Sequence, residues 1–339
     1  MGLMFKFLGM TIIILRMKLN LTIFFNLFVL FNFTLAGEKK VVFVAGAKSH
    51  GFFAHEHAAG CKLLAKHIED ARIGITTKVV TDSGYPKDSS VFDDADAVVV
   101  ACDGGVRHLL NKHLKEFDQI MRRGVGLACI HYGVETTKGP AGDHFLKWIG
   151  GYFEPYWSVN PVWNAEFKTL TNHPITQGVK PFSMHDEWYY HMRFREASSA
   201  IGSITPILSA HPPESTMNRL KPGVESHPHH GNPDVAEAVL KRKEAQHVAW
   251  AYQRGQDYNY GRGFGFTGAH FHENWASLDA RRLVLNAVAW IAKVDVPEGG
   301  VPTKPVTLEH LLENQDFPLP NPWKNKQNVE SKIASFRNN

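Results

Sequence analysis

Cysteine is scarce in this 339-residue chain, which contains only Cys61, Cys102 and Cys129. Three residues are too few, and too odd in number, to form a disulfide framework. We therefore expect buried thiols that behave as small apolar side chains. Cys102 and Cys129 fall in two predicted strands, so a bond between them stays open if those strands are neighbours.

A strong excess of charge is also missing. The formal net charge is +4, and removal of residues 1–36 takes away Lys6, Arg16 and Lys18, which leaves +1. A chain this close to neutrality does not favour nucleic acid or an anionic membrane as a partner. The turn "ACDGGV" lacks the G-x-G-x-x-G spacing of phosphate-binding loops, so we expect neither a nucleotide nor a flavin.

The one long apolar run lies near the start of the chain. "MKLNLTIFFNLFVLFNFTLAGEKK" has a basic beginning, an apolar centre and a small residue, Ala36, before polar residues. This order predicts a signal peptide over residues 1–36, with Met17 as a better start than Met1, and hence an exported protein without stable membrane insertion after cleavage. An uncleaved membrane anchor is the alternative, because the run approaches the length that spans a bilayer.

Short apolar runs alternate with helical patterns through the first half of the chain. "KKVVFVAG", "GITTKVVTD", "DADAVVVACDGG" and "GVGLACIHYG" predict strands, and "HAAGCKLLAKHIED" and "LNKHLKEFDQIMRR" predict helices. Such alternation is typical of βαβ units, so we expect an α/β fold with a doubly wound, mostly parallel sheet and helices on both faces. Further strands are predicted in "NPVWNAEFKTL", "SITPILSA", "EAQHVAWAYQ" and "GRGFGFTGAH", and "SLDARRLVLNAVAWIAK" predicts a closing helix capped by Ser277.

We expect one α/β domain over residues 37–295, followed by an extended C-terminal tail over residues 296–339 that is rich in proline and glycine at its start. Residues 212–234 have no periodicity and form a predicted loop. The loop contains His227, His229 and His230, which would join the site only if the loop covers it.

Polar residues follow several predicted strands, at the sheet edge where α/β proteins bind ligands. His50, His55, Glu56 and His57 follow the first strand, Asp103 the third and His131 the fourth, and "GAHFHENW" contains His270 and His272. A spacing of two residues would place His270 and His272 on one face if the strand continues through them. Imidazoles on one face bind a metal or act as an acid/base pair. The alternative is that both are buried and hydrogen-bonded to backbone.

"HDEWYY" places Asp186 and Glu187 beside Trp188 and Tyr189. Carboxylates accept hydrogen bonds from sugar hydroxyls or act as general acid or base, and aromatic rings stack on sugar faces. This pattern favours a small carbohydrate as the ligand. An ordinary sheet edge with its aromatic side chains in the core is the competing interpretation.

The order of "VVFVAGAKSHGFFAHEH", "GVGLACIHYG", "NHPITQGV", "HDEWYY" and "GFTGAHFHENW" resembles the ThuA-like, or trehalose-utilisation, family over residues 40–296. The resemblance implies a flavodoxin-like fold of the class I glutamine amidotransferase type. In that comparison His131 stands where amidotransferases have their nucleophilic cysteine, His272 stands at their histidine, and Asn274 at their glutamate. Without a thiolate, glutamine hydrolysis has no nucleophile, so amidotransferase activity is not expected.

The resemblance implies a carbohydrate enzyme that acts on a sugar, disaccharide or keto-sugar by hydrolase, lyase or isomerase chemistry. We expect His131, His272, Glu187 and Asp186 to be catalytic, and one divalent metal ion is the predicted cofactor. Its candidate ligands are His50, His131, His270 and His272. Candidate substrate-binding residues are Asp103, Trp188, Tyr189 and Asn274. The alternative is a non-catalytic sugar-binding or scaffold module of a secreted polysaccharide-utilisation system.

Overall fold

A computed structural model describes residues 37–196, 202–219 and 233–337. The predicted signal peptide and the three histidines of the 212–234 loop lie outside these residues. The strands are β1 Lys39–Gly46, β2 Ile75–Ser83, β3 Ala97–Ala101, β4 Gly126–Ile130, β5 Gly151–Tyr152, β6 Val162–Phe167, β7 Phe182–Glu187, β8 Arg193–Phe194, β9 Gly202–Ala210, β10 Gln246–Arg254 and β11 Arg262–Phe266. The α-helices are α1 His57–Asp70, α2 Leu114–Arg122, α3 Pro140–Trp148, α4 Asp234–Ala236, α5 Leu278–Ile291, α6 Leu308–Leu311 and α7 Lys326–Ser335.

Seven strands form the central sheet in the order β2-β1-β3-β4-β11-β10-β9. The first five pair in parallel, and β10 runs antiparallel to both β11 and β9. The predicted doubly wound, mostly parallel α/β sheet is confirmed. Because β1, β3, β4 and β11 run in one direction, their carboxyl ends meet at one edge of the sheet.

Alternate residues of the central strands contact two separate apolar cores. Val41 and Phe43 of β1 pack on one face, with α1 and α5, whereas Val42 and Val44 pack on the other, with α2 and α3. Side chains of a strand point to opposite faces in turn, so a strand covered on both sides is apolar throughout. This explains why "VVFVA" has no polar alternation.

Two small antiparallel sheets lie outside the central one, β5 with β8 and β6 with β7. The β6–β7 pair alternates buried and exposed residues, with Trp163, Ala165 and Phe167 buried. Its register pairs Val162 with Glu187. The β6–β7 pair therefore places residues 185–187, "HDE", at the carboxyl edge of the central sheet.

The C-terminal residues differ from the predicted extended tail, because they contain the helices α6 and α7 and bury Val306, Leu311 and Ile333. The three cysteines are free and buried, as predicted, and burial raises the pKa of Cys61 and Cys102 to about 12. Within the part of the chain that the structure describes, every helix is too short or too polar to span a bilayer.

Acid is expected to destabilise the fold through His108, which joins the loop after β3 to the turn after β4. Its Nε2 lies 3.0 Å from the Gly133 carbonyl oxygen and its Nδ1 accepts the Leu110 amide, so the ring is a fixed neutral tautomer. Burial lowers the pKa of His108 to about 4. The unfolded chain takes up this proton near pH 6.5, so stability falls as the pH drops from 6.5 towards 4 and then levels off. The loss is on the order of 2 to 3 kcal/mol by pH 4.5.

Urea unfolding of the wild type and of His108→Gln at pH 7.5 and pH 4.5 measures this loss as the difference between the two proteins, because other buried histidines such as His67 and His272 titrate in both. His108→Gln keeps a donor and an acceptor but removes the titrating group, so its stability should depend less on pH than that of the wild type. An equal dependence in both proteins would contradict the assignment.

Candidate metal centre

Four side chains from separate elements converge at the carboxyl edge of the sheet. His55 comes from the loop after β1, His131 from the turn after β4, His270 from the loop after β11, and Glu187 from the end of β7. One ligand atom from each lies within 4.8 Å of the others. We call this set the histidine–glutamate cluster.

His55 is the central member of the cluster. Its Nε2 lies 3.0 Å from His131 Nε2 and 2.9 Å from His270 Nδ1. Glu187 Oε2 lies 3.1 Å from His270 Nδ1 and 3.6 Å from His131 Nε2. The other oxygen of Glu187 accepts a hydrogen bond from Asn160 at 3.1 Å. The four ligand atoms therefore surround one small volume.

The backbone that carries the cluster is held in an uncommon conformation. His50, His55 and His131 have φ of +59°, +52° and +50°, and Ala269, beside His270, has φ of +82°. Left-handed residues other than glycine cost free energy, and they concentrate at functional sites. In His131 this strain occurs at the 3₁₀ turn directly after β4.

Hydrogen bonding fixes the tautomer of His131. Its Nδ1 lies 2.8 Å from the Thr267 carbonyl oxygen, so Nδ1 carries the proton and the Nε2 lone pair faces the cluster. Burial, together with His55 and His270, lowers the pKa of His131 well below its ordinary value. Burial likewise lowers the pKa of His55 to about 4. Neutral imidazoles with inward lone pairs are the form that binds metal.

Glu187 shifts the pKa of His270 in the opposite direction. Burial opposes protonation, but the hydrogen bond and charge of Glu187 raise the pKa of His270. A positive charge is therefore favoured next to this carboxylate. A proton on His270 satisfies that preference, and so does a cation that the four groups share.

The donor set fits a divalent transition metal. Imidazole nitrogen and carboxylate oxygen are ligands for zinc and neighbouring metals, with bonds of about 2.0–2.2 Å. Two such ligands on one ion, at tetrahedral or octahedral angles, are roughly 2.8–3.6 Å apart. The contacts of 2.9, 3.0, 3.1 and 3.6 Å within the cluster match this range.

Asp103 lies behind His55, on the side away from the cluster centre. It accepts hydrogen bonds from Ser49 and His57, and Arg107 Nη2 lies 2.9 Å from its second oxygen. Although burial acts in the opposite direction, the interactions with His55, His57 and Ser49 lower the pKa of Asp103 well below its ordinary range. His50, His55 and Asp103 form a second group with ligand atoms within 4.8 Å of one another.

The glycines after Asp103 allow this arrangement. A Cβ on Gly104 would lie 2.4 Å from the Tyr132 carbonyl oxygen and 2.6 Å from Glu135 Cβ, so only glycine fits there. The loop after β3 is thereby packed directly against the turn that carries His131.

The predicted "HDEWYY" residues separate into two groups. Glu187 belongs to the cluster, and the buried Tyr189 places its hydroxyl 3.3 Å from His131 Nε2. Asp186 is fully buried beneath the cluster, where its carboxylate accepts the amides of Glu187, Ala269, His270 and Phe271. Trp188 is 0% exposed and donates to the Met184 carbonyl, so stacking of a sugar on its ring, as expected from the sequence, has no open face.

His272 differs most from its expected place. Strand β11 ends at Phe266, and His272 begins a 3₁₀ turn, so the assumption of a continuous strand through His270 and His272 is wrong. The His272 ring packs against Phe53 and borders a cavity of about 30 Å³ behind His55 and His131. Burial lowers the pKa of His272 to about 3. His272 thus lies outside both groups of potential metal ligands found among the described residues.

The remaining predicted residues border the site or support it. His50 contacts His55 with ring centroids 3.6 Å apart and ring planes tilted by 33°, and it is exposed to solvent. Asn274 is buried and donates to the His185 carbonyl at 3.1 Å, away from the cluster. His55 is absent from the predicted ligands, although "HGFFAHEH" places it among the polar residues that follow the first strand. His55 reaches the cluster through the conformation of the loop after β1, and no periodic sequence pattern indicates that conformation.

The structure defines an α/β protein with a doubly wound, mostly parallel sheet and a cluster of histidines at its carboxyl edge. The profile of the ThuA family, described as trehalose utilisation, matches residues 40–291. The chain belongs to the ThuA family, which confirms the resemblance and supports a carbohydrate-related role. No curated protein matches the chain.

Solved structures with similar folds include two putative ThuA-like proteins. The protein from Bacteroides uniformis is 15% identical, with a TM-score of 0.50 over 77% of this chain and 94% of its own. The protein from Parabacteroides merdae is 13% identical, with a TM-score of 0.48 over 79% and 92%. A glutamine amidotransferase from Thermotoga maritima is 8% identical, with a TM-score of 0.39 over 89% and 97%. At these identities the likeness is one of fold.

Proposed function

We propose that the chain is a metal-dependent enzyme that acts on a sugar, disaccharide or keto-sugar by hydrolase, lyase or isomerase chemistry. The observation that carries the proposal is the convergence of His55, His131, His270 and Glu187 on one small volume. Three imidazole nitrogens and one carboxylate form a site of the kind that catalytic zinc, iron or manganese occupies. Membership of the trehalose-utilisation family supports a carbohydrate as the substrate.

A divalent ion in this site would polarise a sugar carbonyl or activate water. The surrounding side chains support such chemistry in distinct ways. Burial raises the pKa of Tyr189 well above its usual value, so a protonated phenol lies beside His131 at the edge of the cluster. His50 is exposed overall, but partial desolvation of its ring beside the cluster lowers its pKa, so a neutral imidazole stands at the edge of the site at pH 7.

The proposal narrows the predicted catalytic set. Glu187 lies within the donor set, which favours a role as ligand over one as general base. Asp186 accepts four backbone amides and has no free direction towards a substrate. His131 has a fixed tautomer and directs its Nε2 lone pair into the cluster, so the proposal assigns it the role of a metal ligand.

The proposal also includes export by the leader, a small carbohydrate as the partner, and no nucleic-acid partner. They are supported by the basic and apolar start of the sequence and by the small net charge.

Metal analysis of the purified mature chain, combined with a screen of disaccharides and their 3-keto derivatives, tests the proposal. We expect about one transition-metal ion per chain, bound by the histidine–glutamate cluster. Activity should disappear on chelation and return with one divalent ion. His113→Gln is a matched control, because His113 lies on the surface beside Glu116 and outside the cluster.

Full activity after exhaustive chelation would contradict metal dependence. Sugar binding without turnover that persists in His131→Ala would instead favour the non-catalytic binding module.

A further inference from the structure

We infer that Asp103 is a positioning residue that accepts the Nδ1 proton of His55 and so directs His55 Nε2 at the metal. The inference rests on the proposed function and assigns to Asp103 a role other than the substrate binding expected from the sequence. Its starting point is the geometry of one imidazole ring, whose two nitrogens face different surroundings.

The Nε2 side of His55 faces the cluster. The ring nitrogens of His131 and His270 lie 3.0 Å and 2.9 Å from it, which leaves this nitrogen to bind the metal through its lone pair. A neutral imidazole with a lone pair on one nitrogen carries its proton on the other. His55 Nδ1 is then an N–H donor.

This Nδ1 atom is buried without a hydrogen-bond partner, in a residue that is 2% exposed. Asp103 Oδ1 lies 3.7 Å away, slightly beyond hydrogen-bond distance. An unsatisfied buried donor costs on the order of 1–3 kcal/mol. A small closure of this gap satisfies the donor and fixes the direction of the ring.

Asp103 is itself held from three sides. Ser49 and His57 donate to Oδ1, and Arg107 Nη2 lies 2.9 Å from Oδ2. A carboxylate fixed in this way stays ionised and in place, which suits an orienting acceptor. The same contacts argue against a second cation between His50, His55 and Asp103, because the oxygens of Asp103 already serve other donors.

His131 is oriented by the same kind of hydrogen bond, with a different acceptor. Its outer nitrogen lies 2.8 Å from the Thr267 carbonyl while its inner nitrogen faces the cluster. Metal-binding histidines generally donate their other ring proton to a carbonyl or carboxylate. The cluster therefore has a carbonyl behind one imidazole and a carboxylate behind another.

Titration of the metal-free full chain with Co²⁺ tests the inference, because its visible absorption reports ligand geometry as well as affinity. Asp103→Asn should bind one Co²⁺ ion about 10- to 100-fold more weakly than the wild type. The Co²⁺ spectrum should change, and Asp103→Glu should restore part of the affinity. Asp94→Asn is the matched control, since Asp94 pairs with Lys40 at the surface, and it should bind as the wild type does.

His57→Gln provides a second variant if Asp103→Asn does not fold. It removes one of the side chains that hold Asp103, so it should weaken Co²⁺ binding in the same direction but by less. Wild-type affinity and an unchanged spectrum in either variant would overturn the inference.

Binding of two Co²⁺ ions by the wild type, with one lost in Asp103→Asn, would also overturn the inference, because Asp103 would then be a ligand of a second ion. Failure of the wild type to bind Co²⁺ would contradict the proposed function and this inference together. Equal binding by wild type and Asp103→Asn contradicts the inference alone.

Discussion

Replacement of His55 by glutamine is expected to weaken metal binding by more than about 100-fold, the upper end of the effect of outer contacts. His55 Nε2 is the one ligand atom within 3.0 Å of two other imidazole nitrogens, so the variant loses the centre of the donor set. The remaining His131, His270 and Glu187 would hold an ion from one side only. Activity on any sugar substrate should fall in parallel.

His272→Gln is the matched variant. His272 is equally buried but faces Phe53 and the cavity behind the cluster, so its loss should lower thermal stability while metal affinity stays within a few-fold of the wild type. Co²⁺ titration and thermal unfolding of both variants separate the two effects. A large loss of affinity in His272→Gln, with normal binding in His55→Gln, would restore the ligand set expected from the sequence.

The fold could be predicted because its signals are local. Runs such as "VVFVA" and "AVVVA" are apolar throughout, which indicates strands covered on both faces, and the helical patterns between them require crossovers. The direction of β10 could not be read from the sequence, because its buried run "VAWAY" is compatible with either orientation. The C-terminal helices escape prediction because proline and glycine dominate the start of that segment.

The site could be predicted only in part, for a related reason. His131 follows a recognisable strand, so its place at the sheet edge followed from the topology. Glu187 was expected from its carboxylate beside aromatic residues, and the small β6–β7 sheet that brings it to the site was not expected. His55 lies in a loop whose course depends on left-handed residues, the bridge between Ala54 and Phe271, and the bond from its amide to the His270 carbonyl. These contacts join residues more than two hundred positions apart, and no local pattern specifies them.

Asp186 lies beside the site, as expected from the sequence, but its carboxylate contacts the backbone instead of facing a substrate. The sequence places a carboxylate beside the site, and the structure turns it inward to bind the backbone of the loop after β11. Four amides donate to it, from Glu187, Ala269, His270 and Phe271. The carboxylate thereby holds the left-handed turn at Ala269 that directs His270 into the cluster.

Asp186→Asn is therefore expected to reduce both stability and metal affinity. An asparagine keeps the shape but offers one acceptor oxygen, and its amide group would face backbone N–H donors. Hydrogen bonds to a charged group contribute about 1.5–3 kcal/mol each, so we expect a loss on the order of 2–4 kcal/mol in unfolding free energy. Release of the loop should weaken Co²⁺ binding by about 10-fold or more, comparable with other outer contacts.

Glu273→Gln is the matched control, because Glu273 lies directly after the loop that Asp186 holds, is also buried and pairs with Lys332 instead of the loop backbone. It should retain metal affinity. Measuring urea unfolding and Co²⁺ titration on both variants distinguishes general weakening of the segment from loss of the amide contacts. If Asp186→Asn bound Co²⁺ normally while catalysis disappeared, Asp186 would act on the substrate, as the sequence pattern alone suggests, and the backbone contacts would be incidental to the position of His270.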